Sequence, residues 1–248
     1  GLSDWVGLEH FRRLFASSQF TKVLANTLII NGLKILWLFP IPIICAILLN
    51  EIRRATYRKF AQTAIYMPYF FSWVVIFGIF YSLFGSYGII NTAITAMGGT
   101  RIGFFTDNSV FRSVLVFTEG WKEVGYNTVI YLAAITGIDI TLYEAARVDG
   151  ASGWSVLRNV RLPMIRSSIT ICLFLAIVRS FMVFEVNMTL TDGGPFNSTE
   201  MIALRIYNRA FVSLKFGDAQ AQAVVLFVIV AVISVLQAYF TSRREVQM

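Results

Sequence analysis

Apolar residues fall in long blocks along this chain, and polar and charged residues gather between the blocks. A helix that crosses a bilayer needs about 20 mostly apolar residues. Five windows reach that length: residues 25–50, 60–84, 110–137, 167–190 and 221–240. They lack the short alternating blocks of a membrane barrel strand, so each predicts a helix. Pro40 and Pro42 predict a kink in the first. The expectation is an all-α, polytopic membrane helical bundle with five spanning helices. No linker rich in Pro, Gly or Ser divides it, so 1–248 is read as one domain.

Composition supports lipid as the solvent. Apolar residues make up 56% of the chain and charged residues 14%, against about a quarter charged in soluble domains. One soluble core cannot hide that much apolar surface. The net charge of +7 does not indicate nucleic acid, because the basic residues sit at the ends of apolar runs. Cys45 and Cys172 lie inside such runs and read as small buried hydrophobes. His10 is the chain's one histidine, so no metal cluster is expected.

The charges also set a topology. Arg53, Arg54, Arg58 and Lys59 follow the first window; Arg147, Arg158, Arg161 and Arg166 follow the third; Arg243 and Arg244 follow the fifth. Five basic residues (Arg101, Arg112, Arg205, Arg209 and Lys215) lie on the alternate side. The positive-inside rule puts the larger group, and the C-terminus, in the cytoplasm. The first window then starts outside with no export signal ahead of it, which predicts a further spanning helix upstream. Residues 4–15 would be an amphipathic stretch on the outer surface.

The loop at 142–163 carries the most specific pattern: LYEAARVDGASGWSVLRNVRLP. Glu144, Ala145 and Ala146 favour helix, and Gly150, which follows the loop residue Asp149, and Gly153 supply the bend. Val156, Leu157 and Val160 share a face of a second short helix that Pro163 closes. Small residues would let a partner's backbone approach. Glu-Ala-Ala, then Gly150, then Val160, Leu162 and Pro163 at this spacing resembles the signature loop of permeases in binding-protein-dependent ABC importers. YMPYFFSW at 66–73, LTDGGPFNST at 190–199 with Tyr207 and Phe211, and WVGLEHF at 5–11 resemble the carbohydrate branch, which includes maltose and glycerol-phosphate permeases. The resemblance covers nearly the whole chain. It implies a type I ABC importer permease fold in a bacterial inner membrane.

Ionisable groups within a span cost at least about 2.5 kcal/mol each and are functional candidates. Glu119, Lys122, Glu123 and Tyr126 share one helical face by their spacing. Arg179 and Ser180 lie in the fourth window, and Tyr69 and Trp73 sit one turn apart in the second. Lys34 has no evident role. Each also has a structural reading: Glu119 could neutralise Lys122, Arg179 could serve packing, and the aromatics could form an interfacial belt. The resemblance implies a midplane sugar site at Tyr69, Trp73, Glu119, Lys122, Glu123, Arg179, Ser180 and Val183. Trp73, Lys122 and Arg179 depart from the small or apolar groups of maltose binders. The two cations would favour an acidic sugar.

The resemblance further implies a second homologous permease, two ATPase subunits docked on the 142–163 loops, and an extracellular binding protein that delivers a sugar or oligosaccharide. ATP and Mg would be held by the ATPase subunits, with no cofactor in this chain and no catalysis by it. The chain has no Gly-x-x-x-x-Gly-Lys-Ser/Thr run. An ion-coupled secondary transporter is the alternative, as is an intramembrane enzyme using Glu119 or Glu123. Neither predicts the Glu-Ala-Ala loop.

Overall fold

A computed structural model describes residues 5–182, 184–191, 194 and 199–245. The described residues form helices joined by short turns: α1 (Glu9–Ala16), α2 (Ser18–Leu38), α3 (Pro40–Glu51), α4 (Ala55–Tyr66), a 3₁₀ turn (Met67–Phe70), α5 (Trp73–Phe84), α6 (Ile89–Ala96) and α7 (Asn108–Thr136). The order continues with α8 (Ile140–Val148), α9 (Gly153–Val156), a π turn (Leu157–Arg161), α10 (Leu162–Met164), α11 (Arg166–Met182), α12 (Glu185–Thr191), α13 (Ile202–Tyr207), a second π turn (Asn208–Val212) and α14 (Phe216–Glu245).

Among the described residues, three stretches are long and apolar enough to cross a membrane: Ser18–Glu51, Trp73–Ala96 and Phe216–Tyr239. Two bent pairs raise the number to five: Asn108–Thr136 with Ile140–Val148, bent by 66°, and Gly153–Met164 with Arg166–Phe181, bent by 62°. Large side chains face outward along these stretches, among them Trp37, Leu48, Phe227 and Val235, as lipid contact requires. At the expected proline kink, α2 and α3 are interrupted at Phe39 alone.

The second predicted span is corrected. Residues 60–84 are not one helix. Pro68 lies in the 3₁₀ turn, Phe71 and Ser72 are extended, and α5 starts afresh at Trp73. Proline removes a donor and crowds the preceding turn, and the Ser72 hydroxyl accepts from Val75 N at 3.4 Å to cap the new helix. Tyr69 and Trp73 are therefore not one turn apart on a single helix. The apolar span moves C-terminally, to 73–96.

The chain divides into two compact units. The first draws on the described residues up to Lys34, on Ser72–Glu119, and on Ile177 onward. Its core joins Leu14, Phe20, Val23, Ile202 and Ala221, so the short α1 is anchored on α14. Buried Asn91 ties together the chain on both sides of α6: its amide donates to Gly85 O at 3.0 Å and Ile102 O at 2.9 Å, and its oxygen accepts from Ile102 N at 2.8 Å. The second unit comprises Ile35–Phe71 and Gly120–Ala176. Its core joins Ala46, Tyr131, Ile135, Ile165 and Cys172, packing α3, α7 and α11 beneath the α8–α10 elbow.

Candidate functional site

The 142–163 loop, in the second unit, folds as the sequence predicts: two short helical pieces about a turn. The Asp139 carboxylate accepts from Thr141 N at 2.9 Å and caps α8. Glu144, Ala145 and Ala146 lie on α8, and Asp149 is its C-cap. Gly150 takes φ +69°. Its N–H donates to Arg147 O at 3.0 Å, while Ala151 N donates to Ala146 O at 2.9 Å. That paired closure is the Schellman motif, whose left-handed residue favours glycine. Gly153, in contrast, simply begins α9, which the Ser152 hydroxyl caps by accepting from Ser155 N at 3.3 Å. Val160 sits in the π turn, with Leu162 and Pro163 in α10. Arg161 binds the two halves of the elbow to the body of the unit: it pairs with Glu51 at the end of α3, and its guanidinium lies 5.5 Å from the Tyr143 ring centre.

The elbow exposes large apolar side chains among charged ones such as Glu144, Arg147 and Arg158. Val148 is 88% exposed and Trp154 71% exposed, with Ile140 and Met164 also exposed. Apolar side chains of this size, at the tip of a well-capped elbow, make a surface for a groove on a partner. Gly150→Val forces a β-branched residue into the left-handed region, which costs roughly 1–2 kcal/mol. The expected result is a protein that still inserts in the membrane but is cleaved faster within the elbow under limited proteolysis.

The polar groups expected in the spans find definite partners. In the second unit, Lys122 of α7 is buried and donates to Tyr69 O and Phe71 O, both at 2.7 Å. These carbonyls end the 3₁₀ turn, where a cation complements the negative end of the helix dipole. The ammonium also lies 5.3 Å from the Tyr69 ring centre, and Tyr69 stacks on Tyr126 at 4.8 Å. Tyr69, Lys122 and Tyr126 thus form one cluster; Glu123 is half-buried on the same helix. Gly125 makes this possible, because a Cβ there would strike Ile65 O and Tyr66 Cα of α4.

In the first unit, Glu119 pairs with Lys34 at 2.6 Å, with side chains 8% and 5% exposed. The role of Lys34 was not read from the sequence. The signal was present: Thr27, Asn31 and Lys34 fall at helical spacing inside an apolar window, and all three are buried. Along the same helix Asn26 accepts from Arg112 at 2.6 Å, and Ile202 N donates to Thr27 at 3.0 Å. Trp73 opens α5 and is half-buried. Arg179 is exposed near the end of α11, and its neighbour Ser180 is buried and donates to Ile177 O at 2.9 Å. Val183 and residues 192, 193 and 195–198 lie outside the described residues.

Comparison with known proteins gives a consistent result. Residues 39–246 match the family described as binding-protein-dependent transport system inner membrane component. The chain is 44% identical over 176 residues to the polygalacturonan/rhamnogalacturonan transport system permease protein YteP of Bacillus subtilis (strain 168), across 71% of this chain and 55% of that protein. The match thus spans little more than half of that relative's length. Identity is 34% over 258 residues, 98% of this chain and 82% of the relative, with the probable starch degradation products transport system permease protein AmyD of Thermoanaerobacterium thermosulfurigenes. A chain from a bacterial alginate ABC transporter, solved in complex with an alginate pentasaccharide-bound periplasmic protein, superposes with TM-score 0.91 at 32% identity, covering 96% of this chain and 83% of that one.

Proposed function

We propose that this chain, which belongs to the inner-membrane components of binding-protein-dependent transport systems, is the translocation subunit of an ATP-driven importer for an acidic oligosaccharide. The observation that carries the coupling half of the proposal is the 140–164 elbow: capped at both helices, strapped to α3 through Arg161, and with large apolar side chains exposed at its tip. Such a device moves as a unit when a docked partner moves, and it hands that motion to α3 and α11. In this reading that partner is an ATPase subunit, two per transporter, with ATP and Mg held there and catalysis left to it. A second, similar permease completes the pore, and an external binding protein delivers the sugar. The charge distribution supports a cytoplasmic elbow and C-terminus.

The acidic character of the cargo rests on the chain's own cations and on relatives. Lys122, though buried and held by two backbone carbonyls, places a positive charge beside the Tyr69–Tyr126 stack, and Arg179 offers a second cation. The polygalacturonan and alginate systems named by two of the relatives handle uronate polymers, whereas the starch-product system does not. The ion-coupled alternative finds no support among these relatives. ATPase stimulation of the assembled transporter by its binding protein, loaded in turn with oligogalacturonate and with a neutral oligosaccharide, tests the cargo. Stimulation by the acidic ligand alone is expected; stimulation by the neutral one alone would assign the cargo to neutral sugars.

A further inference from the structure

A pocket of about 230 Å³ in the first unit serves none of the roles above. The first turns of α2 contribute Gln19 and Lys22, and the chain leading into α14 contributes Glu200, Arg205, Asn208 and Arg209. Among the described residues, three cations thus meet one carboxylate. Arg205 is 6% exposed. Its Nη1 stands 3.6 Å from the Glu200 carboxylate, its Nη2 donates to Gln19 Oε1 at 3.3 Å, and its Nε has no hydrogen-bond partner among the described residues. Among the described residues this buried guanidinium has one distant carboxylate and a second arginine beside it, which leaves it short of negative charge. Burial pushes the Arg205 pKa down and Arg209 adds to this, with Glu200 opposing both.

We infer that this pocket is a binding subsite for the carboxylate of a single uronate residue. Arginine forks match a carboxylate in two-point geometry, and the side-chain amides of Gln19 and Asn208 can both donate to and accept from sugar hydroxyls. The volume lies below the range of about 300–1,000 Å³ that holds a drug-sized ligand, so the pocket takes one ring and leaves the rest of a chain outside it. The inference deepens the importer reading and rests on it for location: in the proposed orientation the start of α2 and residues 199–213 face outward, where the sugar arrives. The subsite would hold the leading uronate at the outer mouth.

The test is equilibrium binding of D-galacturonate and D-galactose to the assembled transporter in phosphatidylcholine nanodiscs, for wild type, Arg209→Gln and Lys22→Gln. These side chains lie less deeply than Arg205, so their loss spares the fold; Arg209→Lys controls for charge alone. Galacturonate is expected to bind the wild type, to weaken at least tenfold in Arg209→Gln, and to recover in part in Arg209→Lys, while galactose binds none of them. Equal galacturonate affinity in wild type and Arg209→Gln overturns the inference. So does displacement of galacturonate by phosphatidylglycerol added to the nanodisc or by inorganic phosphate at equal concentration, which would make the pocket a lipid-headgroup or general anion site. The importer reading fails separately, if ATP-dependent uptake is absent in the wild type.

Discussion

Replacing Lys34 alone, or Glu119 alone, with alanine is expected to lower stability by about 3–5 kcal/mol. The pair is closed at 2.6 Å and both side chains are almost fully buried. Removing one partner leaves an uncompensated charge inside a bundle whose surroundings are protein and lipid. For a chain of this size the loss corresponds to roughly 10 °C in thermal midpoint. The double replacement Lys34→Met with Glu119→Leu leaves no orphan charge and is expected to recover most of that loss, because a buried pair rarely outperforms an apolar one. A double-mutant cycle in nanodiscs, followed by thermal unfolding, reads this as a large coupling term. Additive single effects would show that the two side chains act independently.

Gly125→Val is expected to be the most damaging small substitution in the second unit. A Cβ at Gly125 would fall on Ile65 O and lie 2.8 Å from Tyr66 Cα, and neither backbone atom can rotate away. Close approach of this kind is how small residues let membrane helices pack. Gly120 makes an informative contrast, since a Cβ there meets the tip of the Leu38 side chain, which can change rotamer. Gly125→Val should therefore separate α4 from α7, break the Lys122 contacts to Tyr69 O and Phe71 O, and cost about 3 kcal/mol or more. Gly120→Ala should cost well under half as much. Size-exclusion profiles with thermal challenge check the order, and equal losses at the two glycines would contradict the backbone-contact account.

Much of this was legible in one sequence because it is local. Apolar runs place most of the spans, since the requirement for about 20 apolar residues is written directly in the composition. The elbow was legible because a left-handed turn needs a glycine at a fixed offset from Glu-Ala-Ala, where Gly150 stands; the caps at Asp139 and Ser152 emerge only from the structure. The break at Phe71–Ser72 was not legible from hydropathy, which averages side chains and is blind to a backbone donor lost at Pro68. The partner of Lys34 lies 85 positions away, on α7, and no spacing rule joins them. The expected neighbour pairing of Glu119 with Lys122 gave way to Lys34 for Glu119 and backbone carbonyls for Lys122. The basic pocket joins α2 to residues 200–213 across more than twice that separation, 186 positions from Gln19 to Arg205, which is why its arginines read from the sequence only as loop charges.

Uptake of labelled oligogalacturonate into proteoliposomes holding the assembled transporter tests the central claim most directly. Accumulation is expected only with ATP on the elbow side and the loaded binding protein on the other, and it should vanish in Gly150→Val. Uptake that persists without ATP and collapses when the proton gradient is dissipated would contradict an ATP-driven importer coupled through the 142–163 loop.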